Sequence, residues 1–295
     1  MTHSSQRRTL LLAAASAPLF VTIGACSTPA KHPRSASAAL TALEKRSGGR
    51  LGVAAFDTAS GKHIGHRADE RFPFCSTFKV VLSGAILAQS VRDPGLLARR
   101  VTWPQSEVVN YSPISGKHVA DGMTVAELCG AALQYSDNTA ANQLIRIVGG
   151  PAAVTAFAQS TGNAEFRLDR IETALNDALP GDPRDTSTPA AMARSLHTLA
   201  LGDALPAAQR EQLQTWMRGN TTGDKRIRAG VPDGWQVADK TGTGDYGTAN
   251  DLALVWPPGR APIVIAIYHT QPEANAKPRD DVLAEAARIV TMDFA

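Results

Sequence analysis

Near both ends of the chain, short apolar runs have the pattern of strands, and between these ends apolar residues recur with the period of helices. A helix is predicted at 38–45, followed by a strand at 50–57 and, after a turn at 59–62, by a return strand that ends at Arg67. Three further strands and a closing helix are predicted at 235–240, 252–256, 263–268 and 281–290.

Helical periodicity, broken by proline and glycine, fills the stretch between these strand patterns. It is clearest at 80–89, 125–134 and 190–201. The economical fold is therefore α/β (α+β): an antiparallel sheet built from both chain ends with flanking helices, plus an all-helical inserted subdomain.

The same pattern sets the predicted domain boundaries. The α/β subdomain is expected at 38–68 and 218–295, and the all-α subdomain at 69–217. We expect the active site in the cleft between the two parts.

The N-terminus has the pattern of an export signal. Arg7 and Arg8 precede an apolar run at 10–24 that is too short to cross a bilayer, so a signal peptide is predicted at 1–25, with a twin-arginine character. Cys26 resembles the lipid-attachment site of bacterial lipoproteins; the alternative is a chance cysteine beside an ordinary cleavage site. The Ser- and Pro-rich segment 26–37 is predicted to be a flexible tether. The protein is expected outside the cytoplasm, membrane-tethered where Cys26 is lipidated.

Composition narrows the classes of partner. The 295 residues are 43% hydrophobic, which allows a sizeable core, and the net charge is only +3, partly from the export signal. Basic residues form no stripe with interleaved aromatics, so nucleic acid is not an expected partner. No spacing among Cys26, Cys75 and Cys129 indicates a disulfide framework or a metal site, so neither a metal nor a cofactor is expected. A monomer is predicted.

Three short clusters carry the candidate chemistry of the inserted region and the sheet. They are Ser76-Thr77-Phe78-Lys79, Ser136-Asp137-Asn138 and Lys240-Thr241-Gly242. Together they supply a nucleophile, proton carriers and an anchor for an anionic substrate, as an acyl-transfer site requires. Each has an ordinary alternative: a helix cap followed by a solvated lysine, a pair of capping residues, or a strand end.

A fourth cluster lies in the polar, aperiodic stretch at 167–185. Glu172 and Asn176 fall within it, and a carboxylate with an amide four residues away can activate a water molecule. A long segment without regular structure inside a compact domain is usually functional. The alternative is a solvated glutamate in a surface loop.

The three clusters form the pattern of class A β-lactamases and penicillin-binding proteins. The chain resembles the class A enzymes of the exported, actinobacterial type over 51–290, including the segments 167–170 and 180–186. Penicillin-binding proteins lack the loop with Glu172, so the resemblance favours a hydrolase over a transpeptidase.

This resemblance implies a role for each matching position. Ser76 attacks the lactam carbonyl, and the backbone N–H groups of Ser76 and Thr243 form the oxyanion hole. Lys79 and Glu172 are the two candidate bases for acylation, and Glu172 with Asn176 directs water in deacylation. Ser136 passes a proton to the leaving nitrogen. The substrate-binding residues implied are Asn138, Lys240, Thr241, Gly242, Thr243, Arg226, Tyr111 and Asn110.

Several positions depart from commoner relatives. Ala249 stands where many carry a carboxylate-binding arginine, and Arg226 is expected to replace it; its alternative is a solvated charge. In many relatives a proline follows the loop glutamate across a cis peptide bond. Thr173 stands at that position here, so the sequence does not decide whether the Glu172–Thr173 bond is cis or trans. Carbapenem-hydrolysing relatives often join a cysteine matching Cys75 to one at the position of Gly244. That disulfide cannot form here, so the sequence gives no support for strong carbapenem hydrolysis. Arg170 and Asp185 are expected to join the loop ends by an ion pair; an exposed pair would contribute only about 0 to 1 kcal/mol.

The predicted function is hydrolysis of the β-lactam amide bond of penicillins and some cephalosporins through a serine acyl-enzyme, which confers resistance. Two alternatives remain at this point: a lipid-tethered penicillin sensor that stays acylated, and a cell-wall peptidase acting on D-Ala-D-Ala peptides.

Overall fold

The computed structural model describes residues 35–295. One five-stranded antiparallel sheet has the strand order β2-β1-β9-β8-β7. These strands are β1 (Arg50–Asp57), β2 (His63–His66), β7 (Gln236–Thr243), β8 (Ala249–Trp256) and β9 (Ile263–Thr270). Four two-residue strands form two small pairs: β3 (Phe72–Pro73) with β6 (Thr186–Ser187), and β4 (Arg100–Val101) with β5 (Met123–Thr124).

Nine α-helices are described in the same residues. They are α1 (Ala36–Ser47), α2 (Phe78–Arg92), α3 (Val125–Gln134), α4 (Asn138–Val148), α5 (Pro151–Ser160), α6 (Pro189–Ala200), α7 (Ala207–Arg218), α8 (Ile227–Gly230) and α9 (Asp280–Phe294). The sheet thus draws its strands from the two ends of the chain, with most helices between them, which confirms the predicted fold class. Within 35–295, no helix has the length and apolar character to span a bilayer.

The sheet is buried on both faces, and each face packs against helices. Along β9, Ile263, Ile265 and Ile267 belong to a hydrophobic cluster with α1 and α9, while Val264 and Ala266 belong to a second cluster with α2, α3 and α6. Successive strand residues point to opposite faces, so both faces must be apolar. This explains why the strand patterns read as nearly continuous apolar runs.

Element ends differ from the sequence predictions at several places. The tether was predicted to end at residue 37, and this is wrong because α1 already begins at Ala36. The Ser35 side chain caps this helix by accepting a hydrogen bond from the Ala38 amide. Strand β7 continues to Thr243 and β8 begins at Ala249, since these residues pair with each other. The predicted signal peptide at 1–25, Cys26 and most of the tether lie outside the described residues.

Candidate active site

Ser76 lies in a 3-10 turn, Cys75–Thr77, that leads directly into α2. Cys75 has a φ of 45°, a left-handed conformation that is uncommon for a residue with a side chain. The Ser76 hydroxyl donates to Glu172 Oε1 over 3.2 Å, and the residue is only 6% exposed. The hydroxyl therefore points at a carboxylate in a protected site.

Lys79 lies one turn further along α2 and is fully buried. Its Nζ donates to the Ser136 carbonyl oxygen at 2.8 Å and to Asn138 Oδ1 at 2.7 Å, and it lies 3.0 Å from Glu172 Oε1. Burial lowers the pKa of Lys79, and the Glu172 carboxylate opposes that shift. The alternative of a solvated lysine is wrong for this position.

Ser136 and Asp137 lie between α3 and α4, and Asn138 is the first residue of α4. Asp137 is a capping residue: its side chain accepts from the Ala140 amide at the start of α4. Ser136 has a φ of 58°, and its hydroxyl accepts a hydrogen bond from Lys240 Nζ over 3.0 Å. The cluster therefore contains both a helix cap and two residues that face the site.

Asn138 is held by contacts from two directions. Its Oδ1 accepts from Lys79, and its Nδ2 donates to the Asn110 carbonyl oxygen at 3.0 Å. Asn110 thus contributes its backbone here, while its side chain accepts from the Tyr111 amide. One Nδ2 hydrogen of Asn138 is not used by these contacts, because an amide group carries two.

Lys240 is fully buried on β7 and, like Lys79, contacts Ser136. Its Nζ donates to Ser136 Oγ and, at 2.7 Å, to the Thr241 carbonyl oxygen. Burial, together with the positive charge of Lys79, lowers the pKa of Lys240 well below its usual value. Two lysines on different elements, Lys79 on α2 and Lys240 on β7, therefore contact Ser136.

Arg226 is 6% exposed and makes four contacts at the edge of the site, so the alternative of a solvated charge is wrong. Its Nη2 donates to Thr243 Oγ1 at 2.8 Å, and its Nη1 donates to the carbonyl oxygens of Gly242 and Asn250. Its Nε donates to Asp280 at 2.7 Å. The guanidinium is thereby fixed behind the Thr243 hydroxyl.

Glu172 lies in the loop at 167–185 and is 3% exposed, so it is not a solvated loop residue. Its Oε2 accepts from Asn176 Nδ2 at 2.5 Å, and the Glu172–Thr173 peptide bond is cis. Asn142 of α4 holds the Glu172 backbone at both ends, donating to its carbonyl oxygen and accepting from its amide at 2.9 Å each. Sequence reasoning missed Asn142; its only signal was its position one helical turn after Asn138.

The ends of this loop are joined by the expected ion pair between Arg170 and Asp185, and one partner of the pair is buried. Asp185 is fully buried and accepts from Arg170 Nε at 2.6 Å; the Arg170 side chain is 18% exposed. Arg170 also contacts Asp177, a half-exposed carboxylate, at 2.7 Å. The buried partner makes this contact costlier to break than a surface pair.

A cavity of about 410 Å³ opens above Ser76. Its lining residues are Ser76, Tyr111, Ser136, Asn138, Asn176, Thr222, Arg226, Thr241 and Thr243. Lys79, Glu172 and Lys240 lie beneath this lining and reach it through hydrogen bonds. Thr222 was missed by sequence analysis; its Oγ1 lies 2.5 Å from Thr241 Oγ1.

The described residues 35–295 contain no group of three or more His, Cys, Asp and Glu side chains arranged to hold a metal ion. Cys75 and Cys129 are buried free thiols, and burial raises the pKa of Cys129 to about 12. A larger cavity of about 690 Å³ lies behind the loop and is lined by none of the predicted site residues.

Comparison with known proteins places this geometry in a family. The model of the Beta-lactamase enzyme family matches residues 35–294. The chain is 55% identical to beta-lactamase Toho-1 of Escherichia coli over 294 residues, covering 100% of both chains, and 54% identical to beta-lactamase OXY-1 of Klebsiella oxytoca, covering 99% of both. A crystal structure of a beta-lactamase from Desulfarculus baarsii aligns with a TM-score of 0.87 at 57% identity, covering 88% of this chain and 97% of that one. The chain therefore belongs to the beta-lactamase enzyme family.

Proposed function

We propose that the protein hydrolyses the β-lactam amide bond of penicillins and of some cephalosporins through an acyl-enzyme on Ser76, and so confers resistance to these compounds. The observation that carries the proposal is the buried contact between the Ser76 hydroxyl and Glu172, with Asn176 bound to the other carboxylate oxygen. Membership of the family supports it, since the relatives named above are beta-lactamases.

In the acylation step, Ser76 Oγ adds to the lactam carbonyl carbon and its proton passes to Glu172. Glu172 is favoured over Lys79 as the base, because the three oxygens around Lys79 Nζ occupy all three hydrogens of an ammonium group. The carbonyl oxygen becomes an anion, which the N–H groups of Ser76 and Thr243 stabilise. The C–N bond then breaks, and Ser136 donates its proton to the departing nitrogen.

Ser136 can be reprotonated because Lys240 Nζ already donates to its hydroxyl oxygen. This contact orients the Ser136 hydrogen away from Lys240 and toward the cavity. The lowered pKa of Lys240 makes it a better proton donor than an ordinary lysine.

Before deacylation, Glu172 gives up the proton that it received from Ser76, and Lys240 regains the proton that it gave to Ser136, both by exchange with water in the cavity, so Glu172 is again a carboxylate. In the deacylation step, a water molecule held by Glu172 and Asn176 attacks the ester carbonyl carbon. The proton of this water passes to Glu172, the bond from carbon to Ser76 Oγ breaks, and Glu172 returns the proton to Ser76. The carboxylate is suited to this role because it is buried and anchored through Asn142 and Asn176.

Substrate contacts follow from the hydrogens left unused. Thr243 Oγ1 accepts from Arg226, so its own hydrogen is directed at a ligand, and we assign Thr243, Thr241 and Lys240 to the substrate carboxylate. Asn138 has one free Nδ2 hydrogen for the carbonyl oxygen of the substrate's side-chain amide. Tyr111, which is 56% exposed, forms the wall of the entrance, with Asn110 behind it. Gly242 lets the substrate approach the strand.

Turnover of a chromogenic cephalosporin by the purified protein tests the proposal. Many turnovers per molecule support an enzyme, whereas one stoichiometric burst supports the penicillin sensor. Release of D-alanine from a D-Ala-D-Ala peptide, with no lactam turnover, would support the peptidase.

Glu172→Gln adds a test of the assigned residues. The substitution removes the anion beside Lys79, which lowers the lysine pKa further and lets it serve as a slower base for acylation. The water in deacylation has no such substitute. We expect mass spectrometry to detect a covalent adduct that persists in Glu172→Gln and is transient in the unsubstituted protein; free enzyme with intact hydrolysis would contradict the loop assignment.

We also propose export by the segment 1–25, lipid attachment at Cys26 and a monomeric state, with a location in the periplasm or outside the cell. Labelling with a radioactive fatty acid, compared between the unsubstituted chain and Cys26→Ser, tests the anchor. The likeness to actinobacterial enzymes in particular stays a prediction. So do the subdomain boundaries, although the assigned site residues come from both predicted parts of the chain.

A further inference from the structure

Asn250 is a fully buried residue of β8 that the assignments above do not use. In the sheet it lies opposite Gly242 of β7 on one side and Tyr268 of β9 on the other. Its Nδ2 donates to the carbonyl oxygens of Pro73 and Phe74, at 2.9 and 3.1 Å. Both hydrogens of the side-chain amide are thus donated to carbonyl oxygens of the segment that precedes Ser76.

The orientation of this amide is fixed by its partners. Both carbonyl oxygens are acceptors only, so Nδ2 and not Oδ1 must face them. Asn250 Oδ1 is buried without a hydrogen-bond partner among the described residues. A buried polar atom without a partner destabilises the folded protein. This indicates that the two hydrogen bonds donated by Nδ2 contribute to the structure or function of the segment they hold.

The segment that Asn250 holds is the turn that presents the nucleophile. The Phe74 carbonyl oxygen also accepts from the amide and the hydroxyl of Thr77, which closes the turn around Ser76. Cys75 has its left-handed backbone within this turn. Fixing the carbonyl of Phe74 therefore restrains the Phe74–Cys75 peptide group, which is joined through the Cα atom of Cys75 to the peptide group that carries the Ser76 N–H.

Gly242 makes room for this contact. A Cβ atom at Gly242 would lie 2.7 Å from the Phe74 carbonyl oxygen and 3.2 Å from the Ser76 nitrogen. Cross-strand neighbours point to the same face of a sheet, so Asn250 extends its side chain beside the space that the glycine leaves. The strand with Thr243 and the turn with Ser76 thus meet with no side chain of β7 between them.

We propose that Asn250 is a positioning residue that sets the separation and angle of the two oxyanion-hole donors, the N–H groups of Ser76 and Thr243. These donors lie on different segments, and both must reach the same developing anion. Asn250 joins the segments: its side chain holds the turn, and its backbone pairs with Gly242, the neighbour of Thr243. The inference rests on the proposed hydrolysis.

Asn250→Ala is the first test, with Tyr268→Phe as a matched control. Tyr268 is buried on β9 beside Asn250, and its hydroxyl contacts the Thr77 hydroxyl at 3.0 Å. Tyr268→Phe therefore deletes a buried hydrogen bond but leaves in place every donor to the Pro73 and Phe74 carbonyls. We expect both variants to lower Tm. Only Asn250→Ala should lower kcat, by about 10- to 100-fold, with a smaller change in KM; losing a whole oxyanion donor costs roughly 100- to 1,000-fold.

A spectroscopic measurement separates positioning from general loosening. In a Glu172→Gln background, the stretching frequency of the acyl-enzyme ester carbonyl is recorded by infrared difference spectroscopy with ¹³C-labelled penicillin. Hydrogen bonds from the oxyanion hole weaken the C=O bond and lower this frequency. We expect Asn250→Ala to raise and broaden the band, and Tyr268→Phe to leave it in place.

The outcomes are distinct. An unmoved band, or a kcat for Asn250→Ala within about twofold of the unsubstituted protein, overturns the inference. If Asn250→Ala does not fold, Asn250→Ser retains one donor, and an intermediate loss of kcat with an intermediate band shift is expected; a Ser variant with full kcat and an unmoved band also overturns it. Absence of lactam turnover by the unsubstituted protein would refute the proposed function instead, while the carbonyl band of the adduct still tests Asn250.

Discussion

Asp185→Asn tests how firmly the fold holds the loop that carries Glu172. In the native protein, Asp185 Oδ2 accepts from Arg170 Nε at 2.6 Å, and Oδ1 accepts from the amides of Asp169 and Arg170 at 2.8 and 3.0 Å. An asparagine of the same size keeps an oxygen for the two amides. It places an NH₂ group against the guanidinium, so two donors then face each other in a buried site.

The expected loss follows from these contacts. One hydrogen bond between charged groups is removed, worth about 1.5 to 3 kcal/mol, and a buried donor is left without a partner, at about 1 kcal/mol or more. We expect Asp185→Asn to lower the free energy of unfolding by about 3 kcal/mol. Breaking a buried ion pair by removing one partner costs about 3 to 5 kcal/mol, and the charge that remains here is still paired with Asp177.

Asp177→Asn is the matched control. It removes a carboxylate from the same guanidinium, but the Asp177 side chain is 49% exposed, so the loss should be about 0 to 1 kcal/mol. Urea denaturation followed by circular dichroism gives both values, and the deacylation rate at a temperature where both variants are folded reports the position of Glu172. Equal destabilisation by the two substitutions, or a loss below 1 kcal/mol in Asp185→Asn, would refute the reasoning from burial.

Three further predictions concern other charges and thiols. Arg226→Ala should raise the KM for penicillin about tenfold, equivalent to 1.4 kcal/mol, because the Thr243 hydroxyl loses the donor that orients it; steady-state kinetics measures this. Burial lowers the pKa of His269 to about 4, so the folded state disfavours its protonation, and stability should rise by about 3 kcal/mol between pH 4 and pH 6.5. This rise should disappear from urea titrations of His269→Gln. Cys75 and Cys129 are buried, and burial raises the pKa of both, so a thiol reagent at pH 8 should modify them only after unfolding.

Each of these three predictions has a control variant or an outcome that would contradict it. Lys225→Ala removes an exposed cation beside Arg226 and should leave KM unchanged. His63 is exposed, and His63→Gln should retain the pH dependence of stability. Modification of Cys129 at the same rate in native and denatured protein would contradict its burial.

The features that could be predicted from the sequence are those contained within a short stretch of the chain. The helix at 125–134 was predicted with both ends as found, because its apolar residues recur with the period of a helix within ten residues. In the structure, a capping box of Thr124 and Glu127 defines its start. The clusters around Ser76 and Lys240 were found for the same reason, since each motif is short and contiguous.

Contacts between distant segments could not be predicted. Asn142, Thr222 and Asn250 look like ordinary polar residues until the chain brings the loop, the strand end and the serine turn beside them. The burial of Asp185 likewise depends on packing around the whole loop, so its enclosure could not be predicted from the residues beside it in the chain. The end of β7 at Thr243 could not be predicted either, because that end is set by pairing with β8.

The pairing of β1 with β9 has a consequence for biosynthesis. Strand β1 pairs along its whole length, from Arg50 to Asp57, with residues Thr270 to Ile263 of β9. The first strand of the sheet to be synthesised therefore pairs with the last one. A nascent chain cannot complete its sheet until residue 270 has emerged, and such long-range pairing slows folding. A ribosome that stops before β9 therefore yields no partial enzyme, since the scaffold beneath the nucleophile does not yet exist.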